Sequence, residues 1–256
     1  MHNGTIKNFV VQILFSLFIL CYTKNRRTKV KVFAISDLHL SINSPKPMDI
    51  FGPVWNNYLE QMEADWREKV AEDDVVLMAG DFSWAMKLCD AQLDIDYISK
   101  FPGKKIIIRG NHDYWWEGIG KVRSVLPPNF YAIQNDSMKI GNVIFCGTRG
   151  WTLDDEKLLN RELIRLEMTL EDAKKRMQNG DKIVCMLHYP PFDKNGGETA
   201  FTNLIEKYPV SAVVYGHLHG YIGSGYKLKT THNGIDYYLT SCDQLKNKLV
   251  EIDLDK

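Results

Sequence analysis

The sequence predicts an α/β fold with parallel strands, and three observations predict it. Short apolar runs rich in Val, Ile and Leu recur along the chain, the form taken by strands buried on both faces. Segments with apolar residues at helical spacing lie between most of them, as in βα units. Five of the runs also stop at polar, chemistry-bearing residues, which puts those residues on the rim of strand carboxyl ends where α/β proteins hold their ligands.

The 256 residues suffice for one substantial core. With a formal net charge of +0, no overall field draws the chain to nucleic acid or to an acidic membrane. The five cysteines are odd in number and never paired as CxxC. That spacing argues against a disulfide framework and a thiolate zinc site, and for a reducing, cytoplasmic setting.

Residues 1–29 differ from the rest and are set apart from a main domain over 30–256. Phe9 to Tyr22 is almost wholly apolar but shorter than the roughly 17 to 25 residues of a spanning helix. Lys24, Arg26, Arg27, Lys29 and Lys31 follow it, and no small-residue cleavage site does. A short membrane anchor, a signal peptide and an upstream extension outside the working protein all fit. The last is preferred because Val30 opens a strand pattern at once. Membrane association is expected only through residues 9–22, and an anchor there would leave the body on the cytoplasmic side.

In the main domain, Val30 to Ile35 reads as a strand ending in Asp37 and His39, and residues 41–53, with three prolines, as a loop. Trp55, Tyr58, Leu59, Met62, Trp66 and Val70 keep helical spacing. Strands follow at Val75 to Ala79, ending in Gly80-Asp81, and at Lys104 to Arg109, ending in Gly110-Asn111-His112-Asp113, with a short helix between them around Asp90 to Ser99. Further strands are expected at Phe130 to Gln134 and Asn142 to Gly147. The clearest helix runs from Asp155 to Gln178, with Leu159, Leu163, Leu166, Leu170, Ala173 and Met177 in one seam expected to pack on the chain's own sheet. Lys182 to Leu187 ends in His188, and Ala212 to Tyr215 ends in Gly216-His217-Leu218-His219, with a helix from about Thr199 to Lys207 between them. Tyr237 to Ser241 and Lys248 to Ile252 alternate like a closing antiparallel pair.

Five of the seven histidines sit at strand ends. Asp37, His39, Asp81, Asn111, His188, His217 and His219 offer imidazole and oxygen and no thiolate, a set suited to divalent manganese, iron or zinc. Seven ligands exceed one tetrahedral ion and match two ions bridged by one carboxylate. Such a pair holds a bridging hydroxide as nucleophile and grips the oxygens of a tetrahedral phosphorus, so no serine or cysteine nucleophile is needed.

Asp37-x-His39, Gly80-Asp81, Gly110-Asn111-His112-Asp113, His188 and Gly216-His217-x-His219, in that order, resemble the calcineurin-like metallophosphoesterases, in particular a group of small bacterial predicted phosphohydrolases. The resemblance covers about Val32 to the end. It implies a four-layer α/β/β/α sandwich and a metal-dependent phosphoesterase, with Asp37, His39, Asp81 and His219 on one metal and Asp81, Asn111, His188 and His217 on the other. Asp81 would be the bridge. His112 matches the family's non-ligand histidine, which protonates the leaving alkoxide or stabilises phosphoryl charge. One branch, the protein serine/threonine phosphatases, carries a GDxVDRG block whose second Asp orients that histidine. Here Trp84 takes its place, so protein dephosphorylation is not expected, and Asp113 is left as a candidate for orienting His112.

Trp84, Tyr114, Trp115, Trp116, Trp151, Tyr189 and Phe192 fall near the expected rim, where aromatic rings either stack on a leaving group or pack the core. Of these Trp84, Tyr114, Trp115 and Tyr189 are named as substrate-binding candidates, with Arg149 as a phosphate ligand. The expected substrate is a small phosphodiester or phosphomonoester. Diesters are favoured because no second cationic clamp is evident. A non-enzymatic metal-binding scaffold of the same fold would show degraded ligands, and a nuclease would need a basic groove; the sequence indicates neither.

Overall fold

A computed structural model describes residues 30–42, 46–152, 154–220 and 227–255. The apolar segment at 9–22 and the rest of the N-terminal extension lie outside the described residues. Residues 31–256 form one compact unit.

The apolar runs become two mostly parallel sheets. The first has the order β11-β1-β2-β3-β4, from β1 (Val32–Ala34), β2 (Val75–Met78), β3 (Lys104–Ile107), β4 (Phe130–Ala132) and β11 (Val250–Glu251). β1 to β4 are parallel, and β11 closes one edge antiparallel, with Phe33 opposite Glu251. The second has the order β5-β6-β7-β8-β10-β9. Its strands are β5 (Ser137–Ile140), β6 (Val143–Thr148), β7 (Lys182–Leu187), β8 (Val210–Tyr215), β9 (Lys229–His232) and β10 (Ile235–Leu239). β6, β7, β8 and β10 are parallel, flanked by antiparallel β5 and β9.

Alternation along the strands sorts residues into layers. Phe33, Ile35, Val76, Met78 and Ile107 pack against helices α1 (Tyr58–Lys69) and α2 (Leu88–Ser99), through Met62, Trp66, Ile95 and Ile98. α3 (Ile119–Val125) adds Val122. In the second sheet Ile144, Ile183, Cys185, Val213 and Tyr237 pack against α4 (Glu156–Arg176) and α5 (Ala200–Ile205). The alternate residues, among them Val75, Leu77, Ile106, Phe145, Val184, Met186 and Val214, are equally inaccessible because the two sheets cover each other. The result is an α/β/β/α sandwich. At the carboxyl ends the sheets are stitched directly: Ser36 N–H donates to Thr240 C=O at 2.7 Å, and Cys242 N–H donates to Ser36 C=O at 2.9 Å.

The seam of α4 packs on its own sheet, with Leu166, Leu170 and Ala173 buried and Leu159, Leu163 and Met177 half-buried against the same cluster. The expected closing pair of tail strands is not formed. β10 joins the second sheet between β8 and β9, while β11 crosses to the first sheet and pairs with β1. Alternation reports a half-buried strand but not its partner, and here parallel pairing with β8 leaves the edge of β1 for β11. Among the described residues the expected loop at 41–53 carries a 3₁₀ turn at Met48–Phe51, and a second at Pro53–Trp55 runs past its end. Among the described residues no helix is long and apolar enough to cross a membrane.

Candidate metal centre

All five strand ends converge at the seam between the sheets. Asp37 follows β1, Asp81 follows β2, Asn111 follows β3, His188 follows β7, and His217 and His219 follow β8. Asp37, His39, Asp81 and His217 adopt positive φ, between 48° and 72°, a conformation costing about 1–3 kcal/mol for each non-glycine residue. Strain of this kind persists only where the surroundings enforce it. Hydrogen bonds do so: Asp37 N–H donates to Gly80 C=O and His39 N–H to Asp81 C=O, both at 3.0 Å. Two glycines allow the strand ends to approach this closely. A Cβ on Gly110 would lie 2.1 Å from Asp81 Oδ1, and one on Gly216 would lie 2.2 Å from Asp37 Oδ2.

The donor atoms fall into two groups. In one, His39 Nε2 lies 3.2 Å from His219 Nε2; His219 Nε2 is 3.4 Å from Asp37 Oδ1, and His39 Nε2 is 3.8 Å from Asp81 Oδ2. In the other, Asn111 Oδ1 lies 2.6 Å from His188 Nε2 and 2.9 Å from His217 Nδ1, with Asp81 Oδ1 3.5 Å from His188 Nε2. The two oxygens of Asp81 therefore face different groups. The structure brings together all seven residues expected as ligands.

Asp37, His39, Asp81 and His188 are at most 3% exposed, so their electrostatics are those of a dry site. Burial, and then the charges of Asp37 and Asp113, push Asp81 up to about 9. Burial works in the same direction on Asp37, but the imidazoles of His219, His188 and His39 outweigh it and hold its carboxyl well below the usual range. Burial also lowers His39 to about 3 and His188 to about 4, leaving neutral rings with a lone pair to give. For His219 burial is outweighed by the carboxylates of Asp243 and Asp37, which raise it to about 10. Crowding several carboxylates into this buried space thus raises both Asp81 and His219, the mark of excess negative charge. A divalent ion bound by the same atoms would offset that charge, and the imidazole and carboxylate donors suit such an ion. The triplets Asp37, His39, His219 and Asp37, Asp81, His188 have ligand atoms within 4.8 Å of one another.

Hydrogen bonds fix the tautomers. His188 Nδ1 lies 2.9 Å from Ala79 C=O, which as acceptor requires a proton on Nδ1 and turns the bare Nε2 inward. His219 Nδ1 lies 2.9 Å from Asp243 Oδ1. Asp243 was not singled out from the sequence. Its sequence signal is slight: an acidic residue just beyond the Tyr237–Ser241 run.

His112 N–H donates to Asp81 Oδ1 at 2.8 Å, and among the described residues its ring nitrogens make no hydrogen bond. Asp113 does not orient it. That fully buried carboxylate instead accepts N–H groups from Asp81, Phe82, Ser83 and Gly110 and from the indole of Trp115, at 2.7 to 3.2 Å, so it ties the Gly80-Asp81 turn to the Gly110-Asn111 turn. Trp84 supports the His112 ring, with centroids 4.8 Å apart, and stacks on His39 at 4.5 Å.

Trp115 is removed from the substrate-binding candidates: it is 0% exposed, committed to Asp113, and offers no surface to a ligand. Trp116 is likewise buried in the first helical core, and Phe192 packs on Tyr237 in the second. Tyr114 is 53% exposed beside His112, with centroids 6.2 Å apart. Tyr189 covers His217 at 4.3 Å, and the guanidinium of Arg149 lies 4.4 Å over the ring of Trp151.

Comparison with known proteins gives a family and a fold. The family model described as calcineurin-like phosphoesterase matches residues 30–221. Among solved structures, the phosphopantetheinyl hydrolase of Mycobacterium tuberculosis is similar with a TM-score of 0.54 and 13% identity, over 89% of this chain and 97% of that one. The protein TT1561 of Thermus thermophilus is similar with a TM-score of 0.50 and 13% identity, over 89% and 100%. Both likenesses are of fold. No curated protein sequence matches the chain significantly.

Proposed function

Because this chain belongs to the calcineurin-like phosphoesterase family and is on that ground a metal-dependent phosphoesterase, we propose that it hydrolyses a small phosphate ester at a centre for two divalent ions. Asp37, His39, Asp81 and His219 would hold one ion, and Asp81, Asn111, His188 and His217 the other. The carrying observation is Asp81, whose Oδ2 faces His39 and whose Oδ1 faces His188. Imidazole and oxygen donors without thiolate favour manganese, iron or zinc.

The ions would supply Lewis-acid polarisation of the phosphoryl oxygens and a water of lowered pKa. His112, half-buried and with a ring that makes no hydrogen bond among the described residues, delivers a proton to the leaving alkoxide. Trp84 sets the position of that ring in place of the Asp that another branch of the family uses. Tyr114, exposed next to His112, gives a leaving group a face to stack on. None of the seven ligands is missing and His112 is present, which supports hydrolysis over a metal-binding scaffold.

Metal analysis with aryl phosphate turnover tests this. The chain loaded with manganese should bind two ions and hydrolyse 4-nitrophenyl or bis(4-nitrophenyl) phosphate. Asp81→Asn should lose metal, while His112→Ala should keep it and lose roughly 10²–10⁴-fold in kcat. A metal-loaded chain inert towards both esters, or Asp81→Asn with full metal content, overturns the reading.

A further inference from the structure

Beside the metal centre the seam between the sheets holds a concentration of arginine. Arg109 lies past the end of β3 and Arg149 past the end of β6; α4 contributes Arg161 and Arg165. These four line one cavity of about 160 Å³ together with Thr148 and Glu162. Cavities of about 150 Å³ hold a molecule the size of benzene, so a phosphoryl group has room.

The cavity's charge is not balanced from within. Glu162 is its one acidic lining residue, and it is committed: fully buried, it accepts from Arg165 Nη1 at 2.7 Å and from Thr148 Oγ1 at 2.9 Å, with Arg161 Nη2 at 3.4 Å. Among the described residues Arg109 and Arg149 make no ion pair, and the Nε of Arg109 is buried without any hydrogen-bond partner. Four guanidinium groups against one carboxylate leave a formal excess of three positive charges. A buried N–H without a partner costs about 1–3 kcal/mol, and guanidinium groups bind planar or tetrahedral oxyanions through paired N–H donors.

The cavity adjoins the metal centre through the backbone. Arg109 is two residues before Asn111, and the C=O of Arg149 accepts the N–H groups of His188 and Tyr189 at 3.0 and 2.9 Å. The phosphoryl group undergoing reaction belongs at the metal centre, and the arginine cavity, two residues away along the chain at Arg109, is placed to take a different group of the same substrate.

We propose that Arg109, Arg149, Arg161 and Arg165 form a subsite for a second phosphoryl group, and that the substrate carries two phosphoryl groups of which one is cleaved. This rests on the phosphoesterase reading above. Hydrolysis breaks the ester P–O bond at the metal centre; water gives its OH to that phosphorus and a proton to the departing oxygen, and the second phosphoryl group leaves intact on the alcohol. The subsite also supplies the cationic clamp whose apparent lack made a diester the expected substrate, and so removes the ground for that preference.

The test is calorimetric binding to the manganese-loaded chain of alkanediol bisphosphates with spacers of two to four carbons, each against the alkyl monophosphate and the phosphooxy-alkanoate of equal length. One bisphosphate should bind at least about 10-fold more tightly than its monophosphate. The Arg161→Gln/Arg165→Gln variant should bring that ratio down towards one, a loss of about 10-fold or more, the worth of a charge-assisted hydrogen bond. Arg161→Gln alone leaves the Arg165–Glu162 pair intact, and should shift the ratio in the same direction with unchanged Tm; Arg161→Lys should restore part of it. A ratio near one in the wild type, a ratio the variants do not change, or preference for the carboxylate series overturns the assignment. Aryl phosphate turnover measured alongside reports separately on the phosphoesterase reading.

Discussion

Asp243 accepts from His219 Nδ1 with one oxygen, at 2.9 Å, and from Gly220 N–H with the other, also at 2.9 Å. It therefore fixes both the ring's tautomer and the backbone turn that presents it. Carboxylates in this position raise the basicity of the ligating imidazole, and their loss typically costs 10–100-fold in metal affinity. Asp243→Asn should accordingly weaken binding at the His219 group by about that factor in a competitive manganese titration, with the His188 group less affected; equal affinity in the variant would deny Asp243 this role. At Gly110 the constraint is steric. A methyl group there meets both the backbone N and the Oδ1 of Asp81, at 2.2 and 2.1 Å, and those atoms are themselves held by Asp113 and His112. Gly110→Ala should lose metal and at least about 2 kcal/mol of stability by denaturant titration.

α4 is tied to the edge of the second sheet through Asp172, whose Oδ2 accepts from the N–H and hydroxyl of Ser137 on β5 and from Arg176 one turn on, at 2.7 to 3.0 Å. Burial acts to raise this carboxyl, but the bonds from Ser137 and Arg176 prevail and hold it below its ordinary value. A lowered folded-state pKa contributes stability that is present above the unfolded pKa, about 3.9, and is lost as pH falls through the folded value. Asp172→Asn should therefore lower Tm at pH 7, and the gap from wild type should narrow as the pH is taken below about 4. A gap independent of pH would mean that packing, not ionisation, carries the contact. The elements that sequence patterning did not reveal are of one kind. β5, β9 and α3 are short and lie at edges; β9 is the wholly polar Lys229–His232 and α3 buries only Val122. Such segments form because a neighbour presents an open edge or surface, so their own periodicity carries little.

Taken whole, the proposed metal centre draws on both sheets: Asp37, His39, Asp81 and Asn111 come from the first, His188, His217 and His219 from the second. Ions bound there would link the two layers while neutralising buried carboxylates, so that binding free energy would become folding free energy. Ions present at 100 times their Kd contribute about 2.7 kcal/mol per site, or a Tm rise of about 5–10 °C for a domain of this size. Stripping both sites with EDTA should therefore lower Tm by about 10–20 °C, and manganese at about 100 times its Kd should restore it. An unchanged Tm would place the ions outside the seam.

Sequence alone determined the α/β class, the strands buried on both faces, and the residues that end them, because parallel strands in a covered sheet write an uninterrupted apolar run that stops where the backbone reaches the rim. It also determined the chemistry on offer, imidazole and oxygen without thiolate. Only the tertiary structure decided which oxygen of Asp81 faces which imidazoles, that Asp113 ties two turns together and Trp115 fills the core, that Asp243 stands behind His219, and that four arginines share one cavity. Each of these is a contact between residues remote in the chain: Asp113 reaches Asp81 across 32 residues and His217 reaches Asp37 across 180. Local patterns register a residue's own environment, buried or exposed, and carry no record of which distant group supplies it. Sheet order and the packing of one sheet on the other supply that information, and the metal centre and its arginine neighbour both lie where the two sheets meet.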